Sequence, residues 1–314
     1  MGRFAGFVIF FWVSLLAPAL AGSWSRGAPL QTGRAGLGAA VSNGRIYAVG
    51  GAGILAPLGD CEVYRSGGGG WRTDTDLPVG LESFGLAALN GKLYAAGGYA
   101  ADSDASPSAR MWVYDPVSSE WVQGPSMPEP RAAFALIAAQ GKLYAFGGTG
   151  PKAGQIFVFD PRENAWSTLQ QGLSNSRDLA GAVVDGHIYL IGGGPAANPL
   201  ATVNIYDLAD GTWAQGPALP VARSGHAVTV INGDIHVLGG RGGGRGETLT
   251  DHWVLDHASG KWRQEEPLPT PRTGAAAVTL DGAVYLVGGG SGGGFFAPFT
   301  AIAATDIWHP DSGR

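Results

Sequence analysis

The sequence predicts an all-β fold: a six-bladed β-propeller of four-stranded antiparallel blades, with the last blade closed by the N-terminal strand. Three observations predict it. A Gly-Gly pair recurs six times, its second member being Gly51, Gly98, Gly148, Gly193, Gly240 and Gly289, at intervals of 45 to 50 residues. That period exceeds a leucine-rich or ankyrin repeat and matches a propeller blade. Each pair ends a short apolar strand entered through a turn dipeptide, and a tryptophan follows in phase at Trp71, Trp121, Trp166, Trp213 and Trp262.

The elements follow in chain order. Arg3 precedes an apolar run from Phe4 to Leu16, and Ala19 and Ala21 are small residues at the positions a signal peptidase reads. Residues 1–21 are therefore expected to be a cleaved export signal, removed between Ala21 and Gly22. The run is short for a bilayer, which needs about 20 apolar residues, and no later segment is apolar enough to span one. Residues 22–314 are expected to form one domain, a secreted monomer of the periplasm or cell exterior. The formal net charge of −5 and the lack of basic runs argue against nucleic acid and anionic membrane as partners. Cys61 is the only cysteine, which excludes an intrachain disulfide and a cysteine-rich zinc site.

Within each repeat, a strand of small and branched residues, such as Gly225 to Ile231, leads to Asn-Gly, Asp-Gly or Gln-Gly. Such a pair suits a type I′ hairpin turn, where both residues need positive φ. The second strand ends in Gly-Gly. The third is exemplified by Met111-Trp112-Val113-Tyr114-Asp115-Pro116, and the tryptophan opens the fourth. Small residues near the start of the first strand (Gly36, Gly38, Gly85, Ala133, Gly225, Gly274) fit a crowded propeller axis. The sixth repeat ends at its third strand, Thr305 to Pro310, without a tryptophan. Trp24, 47 residues before Trp71, is in phase, so Gly22 to Arg26 is expected to supply the missing outer strand and tie down the ring.

Gly-Gly after a strand, an aromatic two residues before a turn-forming Asp-Pro, and a tryptophan six residues after that Asp resemble the kelch repeat. The resemblance runs through 22–314, with local departures: Arg65 stands in place of Asp in the first copy and His236 in place of tyrosine in the fifth. It implies a β-propeller and, most often, a binding role; exported bacterial six-bladed relatives of this architecture include sialic-acid mutarotases. Copper-radical oxidases share the repeat but need a crosslinked cysteine and tyrosine with histidines, and Cys61 lacks such partners.

Strand alternation puts the Asn-Gly and Asp-Pro turns on one face, and the inter-blade linkers and post-Gly-Gly loops on the other. The second face, variable in length and chemistry, is the expected binding face. Five linkers end in arginine: Arg34, Arg131, Arg223 and Arg272, ten residues before the turn glycine, and Arg177, nine before its own. Leu81 takes the place in the second blade. Two readings stand, a guanidinium bonded to backbone carbonyls or a collar of forked donors for a carboxylate at the channel mouth. Glu82 and Asp178 follow their linkers directly and are candidates to flank that mouth. Phe295 and Phe296, in the long loop from Gly290 to Asp306, are expected to cover part of it. The histidines show no metal spacing, and neither the Gly288–Gly294 run nor Arg241–Gly246 has the context of a dinucleotide or RNA site; no cofactor or metal is expected. The reading is a binding module for an anionic glycan or an acidic protein segment. The alternatives are an enzyme acting on an acidic sugar, of the mutarotase or epimerase kind, and a structural role in a surface assembly.

Overall fold

The computed structural model describes residues 22–53, 55–169, 172–173, 176–195, 197–243, 247–292 and 300–310. They form six four-stranded antiparallel sheets around an axis. Blade 1 comprises Gly38–Ser42, Arg45–Val49, Cys61–Tyr64 and Trp71–Thr73; blades 2 to 5 occupy 85–124, 135–169, 180–215 and 227–264. The innermost strands neighbour one another in order, and Ala276–Leu280 of blade 6 returns to Gly38–Ser42 of blade 1. The axis is crowded, as the small residues there predict: a Cβ on Gly38 would lie 2.4 Å from that of Leu86, and one on Gly85 2.4 Å from that of Leu136. All six hairpin turns have positive φ at both central residues, from Asn43 and Gly44 to Asp281 and Gly282.

The core is not a single central mass but sits between neighbouring blades. Tyr47, Val49 and Cys61 of blade 1 meet Leu81, Phe84, Leu93 and Tyr114 of blade 2, and the same layer recurs around the ring. Two sets of polar contacts hold the layers in register. Each Gly-Gly clasps the next blade. The N–H of Gly51, Gly98, Gly148, Gly193, Gly240 or Gly289 donates to the carbonyl of Leu81, Arg131, Ser176, Arg223, Arg272 or Arg34 respectively, at 2.8–3.0 Å. The preceding glycine sits under that same carbonyl: a Cβ on Gly97 would lie 2.3 Å from the Arg131 oxygen, at φ +66°. Only glycine meets both demands.

At the rim, the repeat tryptophan reaches back one blade. The indole N–H of Trp71 donates to Ala28, Trp121 to Thr75, Trp166 to Pro125, Trp262 to Pro217, and Trp24 to Glu266, all at 2.8–3.1 Å to backbone oxygens. The ring thus closes as the phase of Trp24 predicts. Gly22–Arg26 pairs antiparallel with Thr305–Pro310, Trp24 opposite Trp308. Arg26 meets the buried carboxylate of Asp306 at 3.4 Å, and the backbone N–H of Trp24 donates to Glu266 at 3.1 Å.

Trp24→Ala removes a partly buried indole and its hydrogen bond, and is expected to cost about 2 kcal/mol, a fall in Tm of roughly 4–8 °C; an unchanged Tm would show that the closure contributes nothing. Gly97→Ala should cost more than about 3 kcal/mol, whereas Gly141→Ala, in the blade 3 hairpin with nothing within 4 Å of its built Cβ, should cost only the left-handed strain of about 1–2 kcal/mol. Chemical denaturation of the two variants measures the inter-blade approach directly.

Candidate functional site

Beneath the linkers the backbone itself forms a belt. Gly36, Ser83, Ala133, Asp178, Gly225 and Gly274, one per blade, all have φ between 51° and 65°. Each donates its N–H to the carbonyl of the one before: Ser83 to Gly36, Ala133 to Ser83, Asp178 to Ala133, Gly225 to Asp178, Gly274 to Gly225, and Gly36 to Gly274, at 2.7–2.9 Å. The circle is complete. It floors a cavity of about 360 Å³ on the linker face, lined by Glu82, Ser83, Asp178, Ser224, Arg241 and Thr273 among others.

The walls come from a second six-fold layer. The residue before each belt position (Ala35, Glu82, Ala132, Arg177, Ser224, Thr273) meets the residue after each Gly-Gly (Ala52, Tyr99, Thr149, Gly194, Arg241, Gly290) through backbone pairing. These twelve positions present the mouth chemistry, and six of them are small or glycine.

The structure places four of the linker arginines elsewhere. Arg34, Arg131, Arg223 and Arg272 are at most 1% exposed and turn into their own blades. Each bonds a carbonyl at the end of the second strand: Ala48, Ala145, Gly239 and Gly288. Arg34 also pairs with buried Glu62 at 2.6 Å, Arg223 with Asp251 at 2.9 Å, and Arg272 with buried Asp306. Arg131 has no carboxylate. It donates to Lys152 and Gln155 carbonyls and lies 3.9 Å from the centre of the Phe157 ring. Burial pushes its pKa down to about 10, which leaves it charged at neutral pH. A buried charge must be matched in this way or it destabilises the fold, so these four guanidiniums brace the blades beneath the mouth and none reaches its surface.

Arg177 differs by one residue. In blade 4 the clasped carbonyl belongs to Ser176, so Arg177 stands one place on, and alternation sends its side chain to the mouth side. It is 45% exposed and pairs with Asp178 at 3.0 Å. Glu82 lines the cavity half-buried; burial raises its carboxyl pKa, and no described residue forms an ion pair or hydrogen bond with its side chain. The mouth therefore brings together Glu82, Asp178 and Arg241, with Arg177 on the belt's edge. Arg241 was not singled out from the sequence as a mouth residue, although it follows Gly239-Gly240 at the same offset as Tyr99 and Thr149 follow theirs. Phe295 and Phe296 lie outside the described residues; the base of their loop closes as a ribbon, Gly290–Ser291 against Thr300–Ala301. Among the described residues no three His, Cys, Asp or Glu side chains gather as metal ligands.

Comparison with known proteins places this architecture. A family model described as a KLHDC2/KLHL20/DRC7 kelch-repeats domain matches residues 135–309, and a kelch-motif model matches 82–128. The chain belongs to the kelch-repeat family. It is similar to Kelch-like protein 15 of Danio rerio, 26% identical over 88 residues, which are 28% of this chain and 15% of that protein. It is also similar to an F-box/kelch-repeat protein of Arabidopsis thaliana, 32% identical over 90 residues, 28% of this chain and 24% of that one. The match thus spans a quarter or less of these relatives. A solved structure, that of YjhT, shares the fold with a TM-score of 0.78 over 92% of this chain and 98% of its own, at 16% identity.

This kelch propeller also buries histidine where its other blades place apolar side chains. His226 follows the belt residue of blade 5, at the position of Phe84 and Phe134, and lies against Gly192. Burial, with Arg223 nearby, pushes its pKa down to about 3. His236 and His252, hydrogen-bonded at 2.8 Å and packed on Trp308, are likewise pushed down by burial. Below about pH 6.5 the unfolded chain takes up protons that these folded rings refuse, so stability falls as pH falls, by up to about 1.4 kcal/mol per unit for each histidine. The Tm should drop between pH 7 and 5, and His226→Phe should flatten that slope by one histidine's share; a pH-independent Tm would refute neutral burial.

Proposed function

We propose that this kelch propeller is an exported binding module whose linker-face mouth takes an acidic segment of a partner protein. Arg177 and Arg241 supply forked donors for a carboxylate, and Glu82 and Asp178 accept from the segment's amide or hydroxyl groups. The observation that carries this reading is Glu82. A half-buried carboxyl with no described partner in the wall of a 360 Å³ cavity opposes folding unless something else repays it. The belt amides beneath are all hydrogen-bonded to one another, so recognition falls to these side chains. Export follows the leader read in residues 1–21. The raised carboxyl of Glu82 favours a second reading, proton exchange on an acidic sugar held by the same arginines.

Thermal-shift measurements with acidic peptides, acidic sugars and their neutral counterparts test both. Acidic ligands are expected to raise the Tm and neutral ones to leave it unchanged. Arg241→Ala should weaken binding by about tenfold or more, the loss of one charge-assisted bond. If an acidic sugar binds, its anomer ratio followed by NMR decides between the readings, since a module leaves equilibration at the rate of buffer. Stabilisation by neutral ligands alone would defeat the proposal.

A further inference from the structure

Blade 1 departs from the charge pattern of blades 2 to 4. At the turn-side corner of each blade, the first residue of the second strand stands across from the last residue of the third. In blade 2 these are Lys92 and Asp115, 3.2 Å apart; in blade 3, Lys142 and Asp160 at 3.0 Å; in blade 4, His187 and Asp207 at 3.4 Å. In blade 5 two acids, Asp234 and Asp256, face each other, and Arg263 of the fourth strand pairs with both, at 2.9 and 3.5 Å. In blade 1 the register that sets Ile46 opposite Tyr64 brings Arg45 across from Arg65. The fourth strand adds Arg72, opposite Val63 and on the same face.

Like charges directly opposed across a sheet destabilise it, and among the described residues no ion pair relieves this trio, Arg45 bonding only the Tyr47 hydroxyl. Among the described residues no carboxylate forms an ion pair with Arg45, Arg65 or Arg72. Arg72 makes only a long bond to the Gly68 carbonyl, 3.4 Å, and Asp74, the one carboxylate lining the cleft, accepts from the backbone N–H of Thr75. The three arginines, with Thr73, Asp74, and Gly68 and Gly70 of the glycine-rich turn, line a cleft of about 350 Å³. The corresponding cleft of blade 2, about 430 Å³, has Lys92 as its one lining cation, already paired. Glycines in the turn leave the rim clear of side chains: a Cβ on Gly67 or Gly69 would meet nothing within 4 Å.

We propose that this cleft binds a tetrahedral oxyanion, the phosphate or sulfate group of a monoester. Such a dianion supplies the negative charge that the aspartate supplies in blades 2 to 4, and its oxygens match the forked donors of converging guanidiniums. The site lies on the turn face, away from the linker-face mouth, and stands independently of the ligand proposed there. Sodium sulfate and sodium phosphate are to be titrated into the purified protein at an ionic strength held constant with chloride. Both are expected to raise the Tm saturably, while Arg65→Asp, which restores the aspartate of the other blades, weakens the response by about tenfold or more. Arg72→Gln provides the same reading should Arg65→Asp fail to fold. Glucose 6-phosphate and N-acetylglucosamine 6-sulfate then distinguish the source of the group. An equal shift from chloride alone, an undiminished response in the variants, or binding of neither monoester would overturn the assignment.

Discussion

Six backbone amides hydrogen-bonded head to tail around the axis set the geometry of everything above and below them. Such a circle closes only if each residue adopts a left-handed conformation, so that one N–H points back a blade and its carbonyl points forward. Three of the six positions are glycine; Ser83, Ala133 and Asp178 hold positive φ without it, a conformation that costs roughly 1–2 kcal/mol per residue. The cost is borne because every belt amide is satisfied by the carbonyl of its neighbour. The Gly-Gly clasps and the tryptophan bonds at the rim repeat the same inter-blade logic at larger radius. Three concentric sets of contacts, each made one blade to the next, convert six sheets of marginal individual stability into a ring.

That arrangement dictates which side chains open at the linker-face mouth. The belt uses its own donors and acceptors, and the residues immediately preceding it open the mouth. The arginines one position earlier in four blades are turned inward to brace the second and third strands. A single-residue difference in blade 4 moves Arg177 from bracing to mouth, because successive side chains of an extended chain point to opposite sides. The mouth consequently carries charges of both signs from a few positions, Glu82, Asp178, Arg177 and Arg241, set among alanine, serine, threonine and glycine.

Repetition also makes departures informative. Where the corners of blades 2 to 4 set a basic residue against an aspartate, a pair of arginines in the first is a change of chemistry on an unchanged scaffold. The same comparison isolates His226 from its phenylalanine counterparts, and His236 from the tyrosines. In each case neighbouring blades serve as the reference for what the scaffold alone requires.

Blade number, strand order, the hairpin turns and the closing strand were all legible in the sequence, because each rests on a local signal repeated in register: positive-φ dipeptides, Gly-Gly and a tryptophan every blade. Trp24 was assigned to blade 6 by phase alone, since an indole that bonds the preceding blade must recur at the blade period. The side of the ring on which the linkers and post-Gly-Gly loops lie was legible too, and with it the place of Glu82 and Asp178 at the linker-face mouth. What the sequence could not determine was direction. Arg34, Arg131, Arg223 and Arg272 share a register with no indication of whether a guanidinium points to water or to carbonyls of its own blade. The carboxylates that three of them meet, Glu62, Asp251 and Asp306, lie 28 to 34 residues away and reach them only once the third strand is folded alongside. Likewise, the belt joins residues that are about one blade apart in sequence and consecutive in space. Local periodicity specifies the repeating unit, but the contacts between units, and the side of the chain on which a charge emerges, exist only when the ring has closed.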